Sequence, residues 1–435
     1  MSYAGDLRAV VRHQDFRRLF ATRLTSQAAD GCFQAALASL FFFSPERQTS
    51  AASVASAFAV LLLPYSLVGP FAGVLLDRWR RRQILVVSNL LRTAMVLGVA
   101  GLTFGGVTGV PLYVAVLACL SVNRFFLAGL SAALPHVVTR DELVMANSVS
   151  TTTGTIVAIL GGGVGFGLKR LLGDGSAADA QVIVLAALVY ALAAALAARM
   201  DRDLLGPDLE TARPQTREAV RHVTRGLVDG ARHVWSHRPA GHALAAIGAH
   251  RFFYGISTIS GILLFRSYFN DVDDVDAGLA GLAKAFAASG AGFLLAAVIT
   301  PEVTRHLRKQ TWISICFAAA AVTEAFYVVL LSEWGLLAGA FVVGIAAQGS
   351  KICVDTIVQE SVDDAFRGRV FSFYDVIFNI AFVSAAAFGA VALPADGNSP
   401  AVFGIIAAGY AATSATYALA TRRLTDRTPR PLPAR

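Results

Sequence analysis

The chain has 435 residues, of which 55% are hydrophobic and only 15% charged, and its mean hydropathy is +0.59. An ordinary globular chain carries about 25% charged residues, so a string of soluble domains is excluded. The net charge of +8 sits at the ends of apolar runs and in the loops between them, a pattern of membrane topology and not a nucleic-acid footprint.

Apolar runs long enough to cross a bilayer as helices recur along the whole chain. They predict an all-α membrane protein with twelve transmembrane helices, at 17–43, 52–76, 84–105, 111–133, 147–168, 180–200, 241–265, 277–300, 311–331, 334–358, 370–392 and 401–421. The spans divide into two six-helix bundles, 17–200 and 241–421. A cytoplasmic segment, 1–16, precedes them, a linker, 201–240, joins them, and a basic cytoplasmic tail, 422–435, follows. Most of the 37 Lys and Arg fall in segments that this topology assigns to the cytoplasm. Arg47, Lys169, Arg170 and Arg266 fall outside, where the loop 271–276 instead carries Asp271, Asp273, Asp274 and Asp276. Both termini are therefore expected in the cytoplasm.

In chain order, the first span carries Arg23 and Asp30. A short arginine-dense turn, Gly73 to Arg82, follows the second, so the second and third spans form an antiparallel hairpin. Asn123 and Arg124 stand near the middle of the fourth span. Span one runs outward and span four inward, which places Asp30 and Arg124 at similar depth. An intramembrane charge is a functional candidate with a partner to be named, and this pair predicts proton coupling, against the alternative of a purely structural bridge. The run Gly154 to Gly167 offers Gly161 and Gly165 as a small-residue face for close helix approach. In the linker, 218–235 has an amphipathic pattern that predicts a helix along the inner leaflet, with a solvated linker as the alternative. The segment 6–20 offers a second surface helix.

The second half carries His250, Arg251 and Tyr254 in span seven, Glu324 in span nine, and Gln348, Lys351 and Asp355 in span ten. Lys351 and Asp355 are four residues apart on one helical face and can neutralise each other. Glu324 reads equally as a protonated packing residue. Arg92 and Lys284 lie nearer span ends, where long side chains snorkel. Cys32, Cys119, Cys316 and Cys353 each fall in an apolar run and read as buried packing residues. Only Lys169, Lys284, Lys309 and Lys351 supply lysines and none follows a glycine, so there is no P-loop. Neither His-Glu-x-x-His nor Gly-x-Ser-x-Gly occurs. The sequence predicts no enzyme, catalytic residue, metal site or cofactor.

Gly73, Leu75, Asp77, Arg78, Arg81 and Arg82 match the loop motif Gly-x-Leu-x-Asp-Arg-x-Gly-Arg-Arg/Lys. With twelve spans in two halves and a long central loop, the chain resembles the major facilitator superfamily, with Arg80 replacing the second glycine of the motif. Phe16 to Phe20 with Ser26, Gln27 and Asp30, Leu134-Pro135 with Arg140 to Leu143, and Arg367-Gly368-Arg369-Val370 are similar to the family's bacterial efflux, drug:proton antiporter-like branch. The Gly-Pro pair of the antiporter motif in span five is missing, and the loop 301–310 has lost the motif's core.

The resemblance implies alternating access, with spans one, four, seven and ten lining a central cavity. It implies gating by Gly73, Asp77, Arg78, Arg81, Arg367 and Gly368, with Asp77 acting on the start of span eleven. It assigns proton coupling to Asp30 and Arg124, and substrate contacts to Asn123, Phe126, Arg251, Tyr254, Gln348, Lys351 and Asp355. The expected function is proton-coupled export of a small amphipathic molecule by a monomer in the bacterial inner membrane. Counting Arg23, Arg124, Arg251 and Lys351 against Asp30 and Asp355, the cavity favours an anionic or zwitterionic substrate. Lipids are the expected surroundings and nucleic acid is no partner. The alternatives are a lipid or lysolipid flippase of the same fold and a non-transporting membrane receptor or sensor.

Overall fold

The computed structural model describes residues 3–37, 79–107, 109–173, 175–206, 231–271 and 275–426. The regular elements among them are helical. A short helix α1 (Tyr3–Arg12) leads into α2 (Gln14–Leu37); α3 (Arg81–Phe104), α4 (Val110–Ala133), α5 (Leu143–Leu172) and α6 (Ser176–Ala198) follow. Beyond the linker come α7 (Arg238–Leu263), α8 (Val275–His306), α9 (Lys309–Val329), α10 (Glu333–Ser361), α11 (Asp364–Ala392) and α12 (Pro400–Asp426). Among the described residues nine helices are long and apolar enough to cross a membrane. The polar residues of α2 and α7 set those two apart. Each expected span except 52–76, which lies outside the described residues, coincides with one of α2 to α12, span one as far as Leu37.

The segment 6–20 is not one surface helix. It breaks at His13, whose Nε2 meets the Glu142 carboxylate at 3.0 Å, and Val10 of α1 is fully buried. Of the amphipathic helix foreseen over 218–235, only the last turn lies in the described residues. It is helical over 231–236, with Val234 buried and Trp235 exposed, so the two do not share an environment as the pattern implied.

The chain forms two compact units. The first runs to His233 and also takes in Val362–Val383, the first part of α11; the second holds Val234–Ser361 and the chain from Ser384 onward. This differs from the division into sequence halves at α11.

In the first unit α2 packs along α5 and α6, and α3 along α6 and α4. Small residues permit the closest approach. A Cβ on Gly31 would overlap the backbone of Ala158 and Gly162, and one on Gly161 would overlap the Ala28 carbonyl. Two apolar clusters fill this unit. One contains Phe33, Val96, Val116, Cys119 and Ile183, and the other Phe16, Leu19, Leu85, Phe126 and Leu130. On α2, α3 and α4 the polar residues Ser26, Asn89, Arg92 and Asn123 fall in sequence between the two clusters. In the second unit α8 packs on α10, and α9 on α12 and α10. Glycine again sets the distance: a Cβ on Gly344 would overlap the Ser289 carbonyl. All four cysteines are free and buried.

Candidate functional site

The polar layer of the first unit is built around Arg92, whose side chain is fully buried. Its Nη1 donates to Asp30 Oδ1 at 3.0 Å and to Asn123 Oδ1 at 2.9 Å. Its Nη2 donates to Asn89 Oδ1 at 2.6 Å and to Ser26 Oγ. The guanidinium carbon sits 4.6 Å from the ring centre of Phe126 and 4.3 Å from that of Tyr190. The Tyr190 hydroxyl in turn donates to Asp30 Oδ1 at 2.5 Å. Asp30 thus has a cation and a phenol on one oxygen, and Arg124 lies within electrostatic range of it. A buried ion pair of this kind is held by its hydrogen bonds, because charge attraction alone does not repay desolvation. Aromatic faces on the guanidinium add cation–π attraction. A proton on Asp30 would leave Arg92 charged, buried and without a counter-ion.

At the start of α3 a second charged cluster forms. Arg81 is completely buried, although it stands in an arginine-dense turn. Its Nη1 donates to Asp364 Oδ1 at 2.8 Å and to the Leu205 carbonyl at 3.1 Å, and its Nη2 to the Asp364 carbonyl at 3.1 Å. Arg367 donates to the same carboxylate oxygen at 2.6 Å. The Arg81 backbone N–H donates to the Gly206 carbonyl at 2.9 Å. Gly206 has φ +66°, and a Cβ there would press on His136 Nε2 at 2.7 Å, so a side chain is excluded on both counts. Arg80 pairs with Asp203 at 2.8 Å, and Arg82 donates to the Ala198 carbonyl at 2.5 Å. These arginines are not a solvated topology signal alone, since each has a defined acceptor. Asp364 opens α11, where a carboxylate also suits the positive end of the helix dipole.

In the second unit Lys351 and Asp355 pair at 2.5 Å, with Asp355 buried. The Arg251 guanidinium lies 5.5 Å from the Tyr254 ring centre. His250 is fully buried, stacks on Phe317 at 5.3 Å, and has no hydrogen-bond partner for either ring nitrogen among the described residues. Ser257 donates to Glu324 Oε1 at 2.6 Å, while Glu324 Oε2 has no partner there. Ser257 also helps to line a cavity of about 80 Å³, with Tyr254, Phe286 and Tyr327.

Residues 19–386 match the model of the Major Facilitator Superfamily. The chain belongs to that superfamily. Over 393 residues it is 38% identical to an uncharacterised MFS-type transporter of Mycobacterium tuberculosis, covering 90% of this chain and 88% of that one. It is 31% identical over 196 residues to the lysophospholipid transporter LplT of Salmonella gallinarum, covering 42% and 41% of the two chains. Among solved structures it resembles the Escherichia coli fucose:proton symporter FucP, with a TM-score of 0.68 at 12% identity over 93% of this chain and 98% of that one. It also resembles a bacterial homologue of the iron transporter ferroportin in the outward-facing state, with a TM-score of 0.67 at 14% identity over 95% and 99%. At such identities the likeness shows the fold alone. The chain is a multi-pass membrane transporter of the superfamily and not an enzyme.

Within this superfamily member the expected site residues sort as follows. Asp30 lies in the Arg92 cluster, with Arg92 and Tyr190 as its direct partners where Arg124 was expected. Asn123 and Phe126, expected at the substrate, make their contacts here with Arg92, and Phe126 is fully buried. Arg251 and Tyr254 meet each other, Lys351 pairs with Asp355, and Gln348 is buried on the same helix. Gly73, Asp77 and Arg78 lie outside the described residues. Arg81 and Arg367 converge on Asp364, and Gly368 follows in the first turns of α11.

Sequence reasoning missed Arg92, Tyr190 and Asp364. Arg92 was read as a snorkelling end residue. The signal that could have found it is Asn89, one turn earlier on the same face. Tyr190 has no sequence signal beyond a hydroxyl in an alanine-rich span. The doublet Asp363-Asp364 just before Arg367-Gly-Arg was the available sign of the other cluster.

Proposed function

We propose that this chain is a secondary active transporter of the bacterial inner membrane that exports a small amphipathic molecule in exchange for protons. Alternating access would arise by rocking of two helical bundles about a midplane site. The observation that carries the reading is the buried Asp30 carboxylate, bound by Arg92 and Tyr190 within one polar layer. A proton on Asp30 cancels the counter-charge of a fully buried guanidinium, and an uncompensated buried charge costs several kcal/mol. The packing of α2, α3 and α6 then favours a different arrangement, which is what coupling requires. Arg124 adds a second positive charge to the field at Asp30.

Asp364, held by Arg81 and Arg367, serves in this reading as the cytoplasmic latch, with Asp77, Arg78, Gly73 and Gly368 contributing as the motif implies. In this reading both termini are cytoplasmic, which the distribution of arginines along the sequence supports. Asn123, Phe126, Arg251, Tyr254, Gln348, Lys351 and Asp355 remain the proposed substrate-side residues. Arg23, Arg124, Arg251 and Lys351, counted against Asp30 and Asp355, give the formal positive balance on which this reading favours an anionic or zwitterionic amphiphile.

A second reading, flipping of lysophospholipid, is favoured by the similarity to LplT. Reconstituted protein with an imposed proton gradient separates the two. A gradient-dependent efflux of amphipathic anions supports the first, and gradient-independent movement of lysophospholipid between leaflets supports the second.

A further inference from the structure

Glu324 is a fully buried carboxyl of the second unit. It shares the inward face of α9 with Phe317, Ala320 and Tyr327, while Val322 and Phe326 on the other face are exposed. Its Oε1 accepts from the Ser257 hydroxyl at 2.6 Å, and its Oε2 has no partner among the described residues. The other buried carboxyls described above have cations, Asp30 with Arg92 and Asp355 with Lys351. Glu324 forms no ion pair among the described residues. Tyr327 on α9 and Tyr410 on α12 are within electrostatic range of it, and His250, Arg251 and Tyr254 on α7 neighbour Tyr410. The residues that α8 and α10 bring to the adjoining cavity carry no charge, and their Lys284–Glu333 pair is exposed. A carboxylate at this place would hold its charge in the interior against one neutral donor, which is a costly state. Ser257 links the carboxyl to that cavity of about 80 Å³, whose lining also includes the hydroxyl residues Tyr254, Thr258, Ser289 and Tyr327. A water molecule needs about 10–15 Å³ of such space and two or more polar partners, and the cavity offers both.

We propose that Glu324 is a second exchangeable proton site of this transporter, loaded and emptied through the Ser257 hydroxyl from the cavity between α7, α8, α9 and α10. The transfer is a relay of two hops. Ser257 Oγ takes a proton from a hydronium in the cavity, and its own proton passes to Glu324 Oε1. Hydronium and carboxylate become water and carboxylic acid, so atoms and charge balance, and release runs the same steps in reverse. Loaded, Glu324 is neutral and suits the apolar packing around it. Emptied, it carries a charge that this packing leaves unmatched, so release goes with a rearrangement of α9 against α7 and α12. The inference rests on the proton-coupled reading only for the use made of the proton. The site itself is separate from Asp30.

The test is infrared difference spectroscopy of the purified full chain over a pH titration, which reads neutral and ionised carboxyls without any transport. The wild type is expected to lose a carboxylic C=O component as the pH rises. Glu324→Gln should lack that component, and Asp30→Asn should keep it. Glu324→Asp, which retains a carboxyl, should shift it, and carries the assignment if the glutamine variant does not fold. Ser257→Ala should keep the component at a frequency moved by the lost hydrogen bond, and should slow its isotope shift on transfer to heavy water. Melting temperatures in detergent show which variants are folded. A Glu324 component that stays constant across the titration marks a permanently protonated packing residue and overturns the proposal. So does a pH-dependent component that is the same in the wild type and both Glu324 variants, and so does unchanged isotope exchange in Ser257→Ala. Failure of the Asp30 reading is distinguishable, because it is seen in the flux of Asp30→Asn and leaves the Glu324 component in place.

Discussion

Arg81 and Asp364 stand 283 residues apart in sequence and share two hydrogen bonds, one to the Asp364 carboxylate and one to its backbone carbonyl. The carboxylate is about one third exposed and the guanidinium not at all. The cost of breaking this pair falls on Arg81, which is left buried with only backbone carbonyls and His136 around it. Arg81→Gln is therefore expected to impair transport strongly, and Asp364→Asn to add little on top of it. Coupling in a double-mutant cycle should amount to about 1–3 kcal/mol for residues sharing one network. Glu302→Gln serves as the comparison. Glu302 pairs with Arg305 and His306 but is half exposed, and such surface pairs contribute about 0–1 kcal/mol. Flux assays on the four proteins of the cycle and on Glu302→Gln check the ordering. Additive losses for Arg81 and Asp364 would contradict a shared latch.

The polar layer predicts an asymmetry between single and double replacements. Arg92→Met leaves Asp30 buried beside Tyr190 without its cation and should destabilise the fold by about 3–5 kcal/mol. Asp30→Leu combined with Arg92→Met removes both charges and should recover most of that loss, because an apolar pair carries no desolvation penalty. Apparent melting temperatures in detergent rank the variants. A double variant less stable than Arg92→Met would contradict the assignment of the two as partners.

Close helix approach gives a cleaner structural test. Gly161 faces the Ala28 carbonyl, whereas a Cβ on Gly163 in the same helix would meet nothing within 4 Å. Gly161→Leu should cost about 1–3 kcal/mol or more through overpacking. Gly163→Leu should stay within about 0.5 kcal/mol of the wild type, as exposed substitutions do. The measurement is thermal unfolding of both variants side by side.

The fold was legible because membrane helices announce themselves by length and apolarity, and because arginine placement orders them. Gly161 and Gly165 were legible as a packing face for the same reason that a missing side chain is visible in sequence. The partners of Asp30 were not. Depth alone placed Arg124 level with it, but depth leaves the azimuth of each helix open, and Arg92 on α3 proved to be the residue that meets it. The Asp30–Arg92 and Arg81–Asp364 pairs both join helices far apart in sequence, so no local periodicity signals them. Lys351–Asp355, by contrast, was legible, because both partners sit on one helix at i and i+4. The segment 6–20 misled because its apolar residues suit a lipid surface and a protein interior equally. Val10 took the interior.

Proton-driven flux in liposomes comparing the wild type with Asp30→Asn tests the central claim most directly. The amide can keep accepting from Arg92 and Tyr190 but is neutral and cannot exchange a proton near neutral pH, so the variant is held in the arrangement of the protonated carboxyl and coupling is removed. The account predicts a folded variant whose substrate flux no longer responds to an imposed pH gradient. Unchanged, fully gradient-dependent transport by Asp30→Asn would contradict it.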